Sequence, residues 1–217
     1  MNEVVLNKYS RLEDLWSATI HGIGIVLGVA ILTLLVTFAS IYNNVWSIVS
    51  TAIFGTSMII LYTASTLYHA VKSDNHRKIL KKFDHIAIYY LIAGSYTPFV
   101  LVNLRGTLGW WIFGIIWTLA LIGTFLKLFS DGNGAKKWSI ALYLGMGWLI
   151  VFASNKLFSS LPTTGIVFLI LGGLAYTFGV LFYVQKKKNY THAIWHFFVL
   201  LGTTMHFFAI LYSCVLI

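Results

Sequence analysis

Seven long apolar runs, separated by short polar linkers, take up almost all of this 217-residue sequence. A helix needs about 20 mostly apolar residues to cross about 30 Å of hydrocarbon. Within that layer every backbone N–H and C=O must find its partner inside the protein. The runs fall at roughly 16–40, 46–70, 84–104, 107–129, 137–155, 163–184 and 192–217. They predict an all-α membrane protein, a seven-transmembrane helix bundle built as one domain over residues 1–217, with no room for a separate soluble domain. Composition agrees, with 59% apolar and only 10% charged residues, where a soluble domain has about half and about a quarter.

The net charge of +9 is explained by topology and calls for no nucleic-acid partner. Lys8 and Arg11 precede the first run. Lys72, Arg77, Lys78, Lys81 and Lys82 lie between the second and third. Lys127, Lys136 and Lys137 flank the fourth linker, and Lys186, Lys187 and Lys188 precede the seventh run. Only Arg105 and Lys156 fall on the other side. Lys and Arg concentrate in cytoplasmic loops, so the expected topology has the N-terminus cytoplasmic and the C-terminus outside. The first run is too long for a secretory signal peptide and is preceded by Glu13 and Asp14. The single cysteine, Cys214, rules out an internal disulfide.

Local signals mark the helix ends. Ser73-Asp74-Asn75, Asp131-Gly132-Asn133-Gly134 and Leu161-Pro162 have turn chemistry. Ser10 to Glu13 fits a capping box ahead of the first run. Gly24 and Gly28 predict close approach of a neighbouring helix. Pro98 predicts a kink near Gly94. Trp16, Trp46, Trp110, Trp111 and Trp138 fall where an interfacial aromatic belt is expected.

On this topology the histidines sort themselves by depth. His21, His69, His85, His192 and His196 all fall at the cytoplasmic ends of runs, together with Asp84. His76 lies in a loop, and His206 lies deep in the last run. His192 and His196, four apart, share one helix face about 5–6 Å from each other, a spacing that suits chelation of one metal ion. His69 offers a third nitrogen. Three protein ligands and an open position are the pattern of a catalytic zinc site. Asp84 is then placed to hold or deprotonate a water, and Ser65, one helical turn before His69, to bond that water or a substrate oxygen. The pair alone leaves open the plainer reading of interfacial or hydrogen-bonded core histidines. His85 points about 100° away from Asp84 on a helix, which favours packing or support over ligation, and His21 is expected to contact the ligands. His206, about 15 Å further along the helix than His196, is too distant to share the metal and is expected to be a hydrogen-bonded bundle residue. Tyr62, Tyr68, Tyr89, Tyr90 and Tyr96 are expected to serve packing, with the lining of a lipid pocket as the alternative for a tyrosine among them.

Ser65 with His69, Phe83-Asp84-His85, His192 with His196, and His21-Gly22-Ile23-Gly24 together resemble the hemolysin III family, the bacterial branch of the progestin and adipoQ receptor family, over essentially the whole chain. The resemblance implies a multi-pass protein of the bacterial plasma (inner) membrane. It also implies zinc (Zn2+) held by His69, His192 and His196, with Asp84 reaching it through water. The family's acidic pair before the first helix is matched by Glu13 and Asp14, for which charge at a helix N-terminus is an equal explanation. Three functions follow as expectations. The first is a zinc-dependent hydrolase of a lipid or amide substrate at the inner leaflet. The second is a non-catalytic receptor or regulator of membrane homeostasis with structural zinc. The third is cytolysis, which the almost wholly apolar mid-span positions disfavour, because a water-filled pore needs a polar lining. A retinal protein lacks its mid-span lysine, and a proton-coupled transporter its mid-membrane acid. Membrane lipids are the expected partners.

Overall fold

The structure, a computed structural model, describes residues 10–129, 133–185 and 189–216. Lys8, Asp131, Gly132 and Lys186 to Lys188 lie outside the described residues, as do the side chains of Asn133, Lys136 and Lys137. The described chain is all helical: α1 (Arg11–Tyr42), α2 (Val45–Ala70), α3 (Asp74–Pro98), α4 (Thr107–Phe129), α5 (Asn133–Trp148), α6 (Ser154–Ser160), α7 (Thr163–Val184) and α8 (Thr191–Ile210). They make seven candidate crossings, because α5 and α6 form one broken span. In sequence, α1 packs on α2, α2 on α3 and α3 on α4; α7 packs on α8, and α8 closes against α1. The third span sits at the centre, with 78% of its apolar stretch buried, against 22% for α4.

Several boundaries differ from the sequence expectation for reasons of backbone chemistry. Helix α3 starts at Asp74, ten residues before the apolar run, and the linker is confined to Val71–Ser73. Helical hydrogen bonding does not stop at a membrane surface, so the charged segment carrying Arg77, Lys78, Lys81 and Lys82 continues the helix. At its far end α3 reaches Pro98 and continues as a π-helical turn, Phe99–Asn103, consistent with a proline that cannot donate into the regular ladder. The fifth span runs on to Ser160 through a 3-10 turn at Leu149–Ala153. Its break has a visible cause. The Tyr96 hydroxyl, from α3, donates to the Met146 carbonyl at 2.7 Å and accepts from the Ile150 N–H at 3.0 Å. It therefore stands between the two groups that an unbroken α-helix would pair, and a side chain inserted in the ladder breaks the helix.

The glycines of α1 act as expected. A methyl on Gly24 would meet the Tyr62 ring at 2.9 Å, and one on Gly28 would meet Ile59 at 3.1 Å, so only hydrogen lets α2 approach this closely. Trp16, Trp110, Trp111 and Trp138 face outward. Trp46 is partly covered by Arg105, whose guanidinium lies 4.5 Å from its ring. The starts of α1, α3 and α8 and the end of α2 meet at one end of the bundle.

Candidate metal centre

The histidines reach this end from two helices far apart in sequence. His69 is in the last turn of α2, and His192 and His196 are in the first two turns of α8. Tyr190, with φ 64, turns the chain into α8. This left-handed conformation is uncommon for a bulky residue. Thr191 ties the turn down by donating from its hydroxyl to the Gln185 carbonyl at 2.7 Å. All three imidazoles are buried.

Their Nε2 atoms converge. His69 Nε2 lies 3.2 Å from His192 Nε2 and 3.1 Å from His196 Nε2, and the three ligand atoms all lie within 4.8 Å of one another. A tetrahedral ion with metal–nitrogen bonds of about 2.0–2.1 Å spaces its ligands by about 3.3 Å. The triad therefore presents the donor set and the spacing that such an ion requires, and this buried group could hold a metal ion. The tautomers agree. His69 Nδ1 is 2.8 Å from Asp14 Oδ1, so its proton faces a carboxylate and its Nε2 lone pair faces the other two imidazoles. His196 Nδ1 faces His21 Nε2 at 3.0 Å, leaving its own Nε2 directed at the same point.

The carboxylates at the start of α1 are built into this end of the bundle. Ser10 caps the helix, its Oγ accepting from the Glu13 N–H at 3.1 Å, which is half of the expected capping box. In place of the return bond, the buried Glu13 side chain crosses to α8, where its Oε1 accepts from the His192 backbone N–H at 3.1 Å. It so supplies both an acceptor and negative charge to the N-terminus of the ligand-bearing helix. Asp14 is gripped by Arg77 from α3, whose Nη2 donates to both carboxylate oxygens at 2.7 Å. Arg77 also lies over the Tyr68 ring at 5.1 Å. Sequence reasoning missed Arg77, which read as one more cytoplasmic charge. The signal was available, since a carboxylate at the edge of an apolar run needs a cation near it. A carboxylate behind a metal-ligating histidine fixes its ring and raises its basicity. Asp14→Ala is therefore expected to weaken metal binding by about 10–100-fold without removing a ligand, as read by chelator competition on the purified protein.

Asp84 is buried beside the triad but is not among the atoms that close on the common point. Ser65 and His69 are its neighbours, and the buried Ser65 hydroxyl has no hydrogen-bond partner among the described residues. His85 is turned away. Its Nδ1 lies 2.7 Å from the Lys81 carbonyl and 3.5 Å from Asp84 Oδ2, while its Nε2 lies 3.3 Å from the Tyr183 hydroxyl. His21, fully buried, touches His196 and no other member of the triad by hydrogen bond. His76 is exposed and bonds Ser73. His206 departs from expectation, since neither of its ring nitrogens has a hydrogen-bond partner among the described residues. Its ring packs closely against Gly172, where an added methyl would fall 2.6 Å from His206 Nε2.

A cavity of about 230 Å³ opens beside the triad. His192, His196, Asp84 and His85 line one end, and Phe158 and His206 line the other. Between them the wall is made by aliphatic and aromatic side chains of α3, α5, α7 and α8, Leu91, Phe99 and Leu174 among them. His69 and Ser65 stand behind this wall, outside the lining.

Comparison with known proteins agrees with this architecture. A family model described as "Haemolysin-III related" matches residues 9–207. The chain is 45% identical over 206 residues to a "Hemolysin-3 homolog" of Bacillus subtilis (strain 168), covering 94% of this chain and 95% of that one. It is 42% identical to a "Hemolysin-3" of Bacillus cereus, covering 92% and 91%. It is 31% identical over 177 residues to the human "Monocyte to macrophage differentiation factor", covering 77% and 71%.

Proposed function

The chain belongs to the haemolysin III family, and from that membership and its site we propose that it is a zinc-dependent hydrolase of a lipid or amide substrate, working at the inner leaflet. One observation carries the reading. A three-imidazole cluster with metal-ligand spacing stands beside a buried carboxylate at the head of a long apolar cavity. Imidazole donors suit zinc, and when bound it supplies Lewis acidity that polarises a carbonyl and acidifies water. The remaining work falls to the chain. Asp84, lining the cavity, takes the proton of the attacking water at its carboxylate and returns it to the leaving group. The Ser65 hydroxyl, behind the wall and next to Asp84, is placed to donate to that carboxylate once it turns toward it. The apolar cavity excludes bulk water and seats an acyl chain, bringing the scissile bond to the cavity's polar end.

The inner-leaflet placement follows from charge. Arg11, Lys72, Arg77, Lys78, Lys81, Lys82 and Lys127 lie at the triad's end of the bundle, while Arg105 and Lys156 lie at the other. The positive-inside rule makes the triad's end cytoplasmic. A second reading, a membrane regulator with structural zinc, has its own support, because the ligands come from α2 and α8 and a metal would pin these helices together. Two relatives carry the word hemolysin in their names, but a cavity walled mostly by apolar side chains is not a water-filled pore.

The experiment is elemental analysis of the purified protein together with fatty-acid release from a panel of amide- and ester-linked lipids. About one zinc per chain and release of fatty acid from one class are expected. A zinc-replete protein that cleaves nothing would sink the hydrolase and leave the regulator.

A further inference from the structure

The far end of the cavity holds polar groups for which neither the metal centre nor helix packing has a use. His206 of α8 is 8% exposed, and both of its ring nitrogens lack a hydrogen bond among the described residues. The Tyr176 hydroxyl of α7 is likewise buried and lacks one. The Leu169 carbonyl and the Thr203 hydroxyl are their polar neighbours. Thr203 is engaged with Tyr62, in a close hydroxyl–hydroxyl contact, and with the Val199 and Leu200 carbonyls. Both rings line the cavity and stand edge to face, centroids 5.3 Å apart.

Their seats are made reciprocally by glycine. A methyl on Gly172 of α7 would fall 2.6 Å from His206 Nε2, and one on Gly202 of α8 would fall 2.8 Å from the Tyr176 ring. Two backbones therefore give way to two polar rings. Packing alone would be met by phenylalanine at both places. Leaving a polar group unpaired in an apolar interior is costly, so these groups have a use if something enters the cavity to bond them.

We propose that Tyr176 and His206 form a second, polar subsite that takes a hydroxyl carried partway along an acyl chain. A hydroxyl both accepts and donates, so it can accept from the tyrosine O–H and donate to an imidazole nitrogen. The proposal rests on the reading of the cavity as an acyl site. His206 lies about 15 Å along α8 from His196. An extended chain of 1.5 Å bonds near the tetrahedral angle advances about 1.25 Å per carbon. A chain with its carbonyl at the triad thus brings about its twelfth carbon to the subsite.

The test measures binding of three ligands to the full-length protein in nanodiscs: stearate, stearate hydroxylated at the twelfth carbon, and stearate hydroxylated at the second. The twelfth-carbon hydroxyl is expected to tighten binding about tenfold over stearate, the gain from buried groups that would otherwise go unpaired. Tyr176→Phe, which removes one oxygen, and His206→Phe are each expected to abolish that preference while leaving stearate affinity within about twofold. Retention of stearate binding shows that each variant is folded. Equal binding of all three ligands, a preference that survives both substitutions, or an equal gain from the second-carbon hydroxyl overturns the subsite and leaves the acyl cavity standing. Failure of stearate and of both hydroxylated stearates to bind overturns the acyl cavity itself, and the subsite with it.

Discussion

His69→Ala is expected to bring zinc content from about one ion per chain to near zero, and to abolish the rise in melting temperature that added zinc gives the parent protein. The reason is positional. His69 Nε2 is the atom that stands 3.1–3.2 Å from both other ligand nitrogens, and it is the donor that α2 contributes. Without it, the site is reduced to two imidazoles on one helix, short of the three protein ligands that hold a catalytic ion. A ligand that binds only the folded state stabilises it by RT ln(1 + [L]/Kd), about 2.7 kcal/mol at a hundredfold excess over Kd, so that increment goes with the metal. His85→Ala is the control. His85 is engaged with the Lys81 carbonyl and Tyr183, so its loss is expected to leave zinc content unchanged. Zinc retained at full stoichiometry in His69→Ala, measured by elemental analysis with a melting curve, would refute the triad.

Asp84→Asn is expected to keep the zinc and lose about 10²–10⁴-fold in turnover, the usual contribution of a positioned general base. The amide matches the carboxylate in shape, so the buried space beside Ser65 and His69 is refilled, but it cannot accept a proton. The carboxylate is outside the group of atoms that closes on the metal position, which is why metal content should not follow activity down. Steady-state release of fatty acid, normalised to zinc, makes the measurement. If Asp84→Asn strips the metal along with the activity, Asp84 is a ligand and its role as base falls. If turnover is unchanged, the proton goes elsewhere.

The spans were readable because hydropathy summed over about 20 residues is a local property that the bilayer enforces directly. The depth of the histidines was readable for a related reason. Once Lys and Arg set the ends of the spans, residue number gives depth, and His69, His192 and His196 share one layer. The N-terminal turns of α3 were not readable, because charged residues next to an apolar run read equally as loop. Arg77 was hidden for the same reason. The positive-inside rule already accounted for its charge, and so masked the demand that Asp14, a carboxylate at the edge of an apolar run, makes for a cation. Tyr96 gave no sign that its hydroxyl would interrupt a helix about fifty residues later.

The sequence by itself determined that this chain crosses a membrane seven times and which ends carry its ionisable side chains, because both depend on runs of adjacent residues in a solvent that penalises polarity. Only the tertiary structure decided that Glu13 caps the helix bearing His192, that Asp14 and Arg77 back His69, and that Tyr176 and His206 meet in a cavity. Those contacts depend on which helix faces sit together, and hydropathy carries no information about rotation around a helix axis when nearly every face is apolar.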